Sequence, residues 1–167
     1  MNISKNIPIA VRRAYMSFII EINKEVFSFD EVVKYIERWR GKKMCIEYDD
    51  DMSAGLSGYC AALRDCDLIC TWTNLDVILN RRVRLHELSH FMLNHIEKYP
   101  HGKNTPSYKV FMRRRKLHQD TTQLSRFYPA IYEGPHEYNA EVLAAILDEA
   151  ICKYEVTTPD FIHIIHG

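Results

Sequence analysis

The chain carries no net charge: 22 lysines and arginines balance 22 aspartates and glutamates. Global attraction to nucleic acid or to an anionic membrane is therefore not expected, although a local patch can still act. Long apolar runs are missing too. "MSFII" (16–20) is stopped by Glu21, far short of the roughly 20 residues that a membrane span needs, and the first thirty residues do not read as a signal peptide. Among the five cysteines (45, 60, 66, 70 and 152) no C-x-x-C pair occurs, and the number is odd. They read as small thiols in a reducing cytoplasm rather than a disulfide framework or a metal ribbon. No repeat, low-complexity tract or linker divides the 167 residues, so a single domain over 1–167 is expected.

What is present is globular in composition, 47% hydrophobic and 26% charged. The spacing predicts a helix over 8–26, with Ala10, Ala14, Ile19 and Ile22 at helical intervals. A second helix is predicted over 28–40, opened by Ser28 and Glu31 in capping-box spacing and closed by Gly41, with Val32, Val33, Ile36 and Trp39 as its apolar face. "KMCIEYDD" (43–50), "LSGYCAAL" (56–63) and "DLICTWTN" (67–74) read as strands, the last two as a hairpin turning at "RDCD". From about Leu75 the pattern is helical until Pro100, with a break placed near Asn80. Residues 100–135 are the least regular and hold the cluster Arg113, Arg114, Arg115 and Lys116, with a weakly signalled helix around 107–118. Residues 136–154 form a closing helix with Ala140, Leu143, Ala144 and Leu147 on one side.

"RLHELSHFML" (84–93) contains the pattern H-E-x-x-H. On a helix, residues four apart share a face, so His86 and His90 can offer two imidazole nitrogens to one metal ion. Glu87 sits beside the first of them, placed to take a proton from a water attacking a carbonyl. Two neutral ligands leave zinc strongly Lewis-acidic, which is why this trio suits peptide hydrolysis. The competing reading is a helix with polar residues between core positions Leu85, Leu88 and Met92.

A zinc site of this kind takes three protein ligands. The metzincin spacing would require a histidine at position 96, which is isoleucine; His95 is one position short and is expected to point elsewhere. The third ligand must then come from farther along. "HEYNAEVLAA" offers Glu137 and Glu141 one turn apart on the closing helix, beside the small residues Ala140, Ala144 and Ala145.

At this point the chain resembles the ImmA/IrrE family of metallopeptidases. The resemblance rests on "LICTWTNLDVILNRRVRLHELSHFML" and on "EYNAEVLAAIL" (137–147), which follows the family pattern E-x-x-A-N-x-F-A-A-x-L-L with Leu143 in place of phenylalanine. It covers about residues 55 to 150. It implies His86 and His90 as metal ligands, Glu87 as general base and Glu137 as third ligand. It also implies a cytoplasmic zinc-dependent endopeptidase (manganese or iron being alternatives in the cell) that cleaves a helix-turn-helix repressor. Three further departures from the family pattern stand out. Glu141 replaces asparagine or aspartate, Ser89 replaces glycine, and residues 91–136 make an unusually long connection between His90 and Glu137. That connection, about 97–135, reads as an insertion: a lid, a docking surface or a regulatory element.

His136 competes with Glu137 for the third-ligand position, but on a helix it points about 100° away. Tyr128, Tyr132, Tyr138, His118 and His136 are candidates for stabilising an oxyanion. The basic cluster reads as a solvated or substrate-docking face, and direct nucleic-acid contact is not expected. The expected molecule is α+β and zincin-like: N-terminal helices, a small antiparallel sheet, and the H-E-x-x-H helix packed against a C-terminal ligand-bearing helix. The rival is a catalytically silent module of the same shape that sequesters a repressor or antitoxin.

Overall fold

The computed structural model describes residues 6–50, 52, 56–98, 112–113, 124–127 and 134–158. Helix α1 (Ile9–Ile22) ends at Asn23, whose left-handed backbone (φ 51) lets its N–H reach the Ile19 carbonyl. Its buried residues are Val11, Tyr15 and Phe18, whereas Ala10 is exposed. Ala14, Ile19 and Ile22 pack against the core as expected, but the face centres on Tyr15 and Phe18, whose burial removes far more apolar surface from water than that of Ala10 would.

Helix α2 (Phe29–Arg40) opens as predicted. The Ser28 hydroxyl accepts from the Glu31 N–H, and the Glu31 carboxylate accepts from the Ser28 N–H. Val32, Tyr35 and Ile36 are buried; Trp39, expected beside them, is 49% exposed.

Strands β1 (Lys43–Asp49), β2 (Gly58–Leu63) and β3 (Cys66–Trp72) form the body of a sheet, which the short β4 (Leu124–Phe127) extends to the order β1-β3-β2-β4. The hairpin at "RDCD" is present, with β2 antiparallel to β3. The sheet is mixed, however, and not the antiparallel one expected: β1 runs parallel to β3, Lys43 opposite Cys66 through Asp49 opposite Trp72. The chain crosses from β1 to β2 without pairing them, and β3 then slots between the two. That central place explains why "DLICT" is buried along its whole length. The pleat divides the sheet's side chains. Cys60, Ala62 and Ile69 face the helices, and Tyr59, Ala61, Leu68 and Cys70 build a second cluster on the other face.

Helix α3 (Val77–Met92) starts at Asp76, whose carboxylate accepts the Leu79 N–H at 2.8 Å. It runs through Asn80, where a break was expected. Asn80 is buried and donates its side-chain N–H to the Thr71 hydroxyl on β3 at 3.3 Å, so it fastens helix to sheet. The break comes at Leu93 and Asn94, where Asn94 turns left-handed (φ 58) and the chain re-enters helix as α4 (His95–Lys98).

Helix α5 (Pro135–Thr157) packs along α3, with Ala140, Leu143, Ala144 and Leu147 buried as expected. Arg81 on α3 clamps the pair by reaching Asp148 at 2.7 Å and Glu155 at 2.9 Å. The predicted middle helix around 107–118 lies outside the described residues except for 112–113, which are helical. No described helix is long and apolar enough to cross a membrane.

Candidate metal centre

Packing α3 against α5 sets the geometry. His86 and His90 face α5, while Glu87, about 100° around the helix, faces β2. His86 Nε2 lies 3.1 Å from His90 Nε2 and 3.0 Å from Glu137 Oε2, and His90 Nε2 lies 3.7 Å from Glu137 Oε1. Among the described residues these three form the one cluster able to hold a metal ion.

Three observations test the fit. With bonds of 2.0–2.1 Å and tetrahedral angles, ligand atoms around zinc lie about 3.3 Å apart, close to the spacings found. Glu137 Oε1 is buried and has no hydrogen-bond partner, as expected of an oxygen reserved for a cation. The donor set, two imidazole nitrogens and a carboxylate, suits zinc and also manganese or iron. His86, His90 and Glu137 can therefore hold a metal ion.

Electrostatics point the same way. Burial disfavours charge on His86, but its hydrogen bond to Glu137 and the charge of Glu87 outweigh that and push its pKa up to about 9. Burial likewise opposes ionisation of Glu137, yet the hydrogen bond to His86 and the nearby His90 imidazole hold its carboxyl down to about 2. The field that draws a proton onto His86 would equally draw a metal cation.

The surrounding side chains aim these groups. Glu141 Oε2 sits 3.2 Å from His86 Nδ1, and Glu141 Oε1 takes a hydrogen bond from Arg82 at 3.0 Å. Ser89 is fully buried and gives its hydroxyl proton to the Leu85 carbonyl at 2.7 Å.

Glu87 is buried against β2 and shares a hydrogen bond with the Cys60 thiol. Burial, then the charge of Glu87, raises that thiol's pKa well above its usual value, so it stays protonated as a donor. Gly58 lets β2 come this close. A Cβ there would lie 2.6 Å from Val83 Cγ1, 3.0 Å from the Cys70 carbonyl and 3.5 Å from Glu87 Oε1.

His86, Glu87 and Glu137 line a cleft of about 640 Å³ together with Leu56, Gly58, Leu79, Val83 and Tyr138. The lining thus mixes apolar side chains with charged groups, among them three that can hold a proton or a metal ion.

Of the four residues singled out for chemistry, His86, Glu87 and Glu137 line this cleft, with Tyr138 as an exposed lining residue, and the buried His90 stands behind them beside His86 and Glu137. His136 does not: its ring packs on His95, centroids 5.1 Å apart. Tyr128, Tyr132 and His118 lie outside the described residues, as does the basic cluster beyond an exposed Arg113. Three contributors escaped the sequence reading. Gly58 had a signal, a glycine inside an apolar strand. Cys60 had none. His95, expected to point elsewhere, brings its Nδ1 to 2.9 Å from His90 Nδ1. No family model, curated protein or solved structure matches this chain.

Proposed function

We propose that the protein is a zinc-dependent endopeptidase that cuts a peptide bond in a cytoplasmic protein. In line with the ImmA/IrrE resemblance, we take that protein to be a helix-turn-helix repressor whose cleavage relieves repression. The observation that carries the reading is the convergence of His86, His90 and Glu137 from two helices, with the Glu87 carboxylate beside them on the wall of one cleft. The pairing of α3 with α5 is, on this reading, zincin-like.

A bound zinc ion supplies Lewis acidity, polarising a carbonyl and making water a better acid. The rest falls to side chains of the chain. Glu87 takes the proton of the attacking water and returns it to the departing amine, a role that needs a carboxylate held still, as the Cys60 thiol holds it. Glu141 fixes the ring of His86 by its second nitrogen. The apolar lining from Leu56, Leu79 and Val83 excludes water and receives a substrate side chain. Among the described residues β4 pairs only with Ala61–Leu63, and the Gly58 end of β2 lies at the cleft, where an extended peptide can add as a strand.

The test is to incubate zinc-loaded wild type and Glu87→Gln with a proteome-derived peptide library and sequence the new amino termini. Wild type should produce a recurrent cleavage sequence that the variant, with its zinc retained, does not. Equal zinc and no cuts by either protein would instead favour the sequestering module.

A further inference from the structure

Five residues along an unbroken α-helix amount to a rotation of about 140°, which would carry His95 to the far side of the helix from His90. The left-handed turn at Asn94 prevents this and swings His95 back under the end of α3. There the two rings lie almost wholly buried, His90 at 1% and His95 at 3% exposure, with Nδ1 facing Nδ1 at 2.9 Å.

Two imidazole nitrogens at that distance share a single proton, and its placement decides what His90 can do. If His90 holds it, His90 Nδ1–H donates to His95, and His90 Nε2 keeps a lone pair aimed at His86 and Glu137. If His95 holds it, a neutral His90 must carry its own proton on Nε2, where it blocks metal binding.

We propose that His95 is a positioning residue for the metal centre. It accepts the Nδ1–H of His90, fixing both the tautomer and the ring orientation that metal binding requires. The proposal rests on reading His86, His90 and Glu137 as metal ligands. It assigns to a neutral imidazole, carried on its own short helix, the task that a carboxylate or backbone carbonyl performs for most metal-binding histidines.

The experiment measures zinc dissociation constants by competition with a chromophoric chelator for wild type, His95→Leu and His95→Asn. Leucine fills the space without an acceptor; asparagine puts an oxygen near the place of Nδ1. Zinc should bind about 10- to 100-fold more weakly to His95→Leu, with most of the loss recovered in His95→Asn. Wild-type affinity in His95→Leu, or equal losses in both variants, would overturn the role while leaving the metal centre standing. Failure of wild type to bind zinc would remove the metal centre itself, a distinguishable result.

Should the variants not fold, long-range proton–nitrogen NMR of zinc-loaded wild type decides. A protonated Nε2 and bare Nδ1 on His95 is the expected pattern. A proton on His95 Nδ1 would overturn the proposal.

Discussion

Replacing Gly58 with alanine tests the close approach of β2 to the H-E-x-x-H helix. The added Cβ would sit 2.6 Å from Val83 Cγ1, about 1 Å short of the 3.5–4.0 Å optimum for two carbons. It would also press on the Cys70 carbonyl at 3.0 Å, which belongs to the neighbouring strand and cannot retreat without disturbing the ladder. Relief must come from α3, whose β-branched Val83 has few rotamers to offer. Overpacking of this kind costs about 1–3 kcal/mol. If the protein is the peptidase proposed, a shift of the helix by about 1 Å would lower turnover by about 100-fold. Zinc affinity should change little, because Arg81 ties α3 to α5 and the two helices that carry His86, His90 and Glu137 shift together. Urea denaturation of the metal-free protein measures the first effect, and peptide cleavage the second. The double variant Gly58→Ala/Val83→Ala should recover part of the stability, as a coupling of about 0.5–3 kcal/mol. Were Gly58→Ala instead more stable by about 0.4–1 kcal/mol, the usual gain when alanine fits a glycine site, the packing argument would be wrong.

Other outcomes follow from the same structure. Asp67→Ala should cost about 3 kcal/mol in thermal or urea unfolding, the low end for a broken buried ion pair, because Arg40 loses the partner that ties α2 to β3 and keeps only the more distant Glu97 at 3.6 Å; a change below about 1 kcal/mol would mean that the pair is not closed in solution. The metal-free protein should also show a pH signature. His86 has a folded pKa of about 9, above the usual 6.5, so its contribution is complete below pH 6.5 and is lost as pH rises through 9. Glu137, at about 2, contributes fully above the usual 4.5 and loses that as pH falls through 2. The urea midpoint of chelator-treated protein should therefore decline between pH 6.5 and 9, and His86→Gln should flatten the decline.

The residues of the candidate metal centre were the most legible part of the chain. H-E-x-x-H is a local pattern whose one-turn spacing fixes a shared helix face, and Glu137 stood in register with a second local pattern. The capping box at Ser28 and Glu31 was readable for the same reason. What escaped depends on tertiary packing or on a single backbone angle. Periodicity found Ala14, Ile19 and Ile22, which pack on the core, but did not rank Val11, Tyr15 and Phe18 above Ala10. Strand patterns carry no sign of their neighbours, so the parallel pairing of β1 with β3 was invisible. Asn80 and Asn94 look alike in sequence, yet one is buried against Thr71 and continues its helix while the other turns left-handed and ends it. That difference placed His95 on the wrong side.

The most direct test of the central claim is metal content by elemental analysis, on wild type and Glu137→Ala purified side by side and supplied with zinc. A site built from His86, His90 and Glu137 predicts about one zinc per wild-type chain and a clear loss in the variant. Wild type without zinc, or a variant that keeps its full complement, would contradict it.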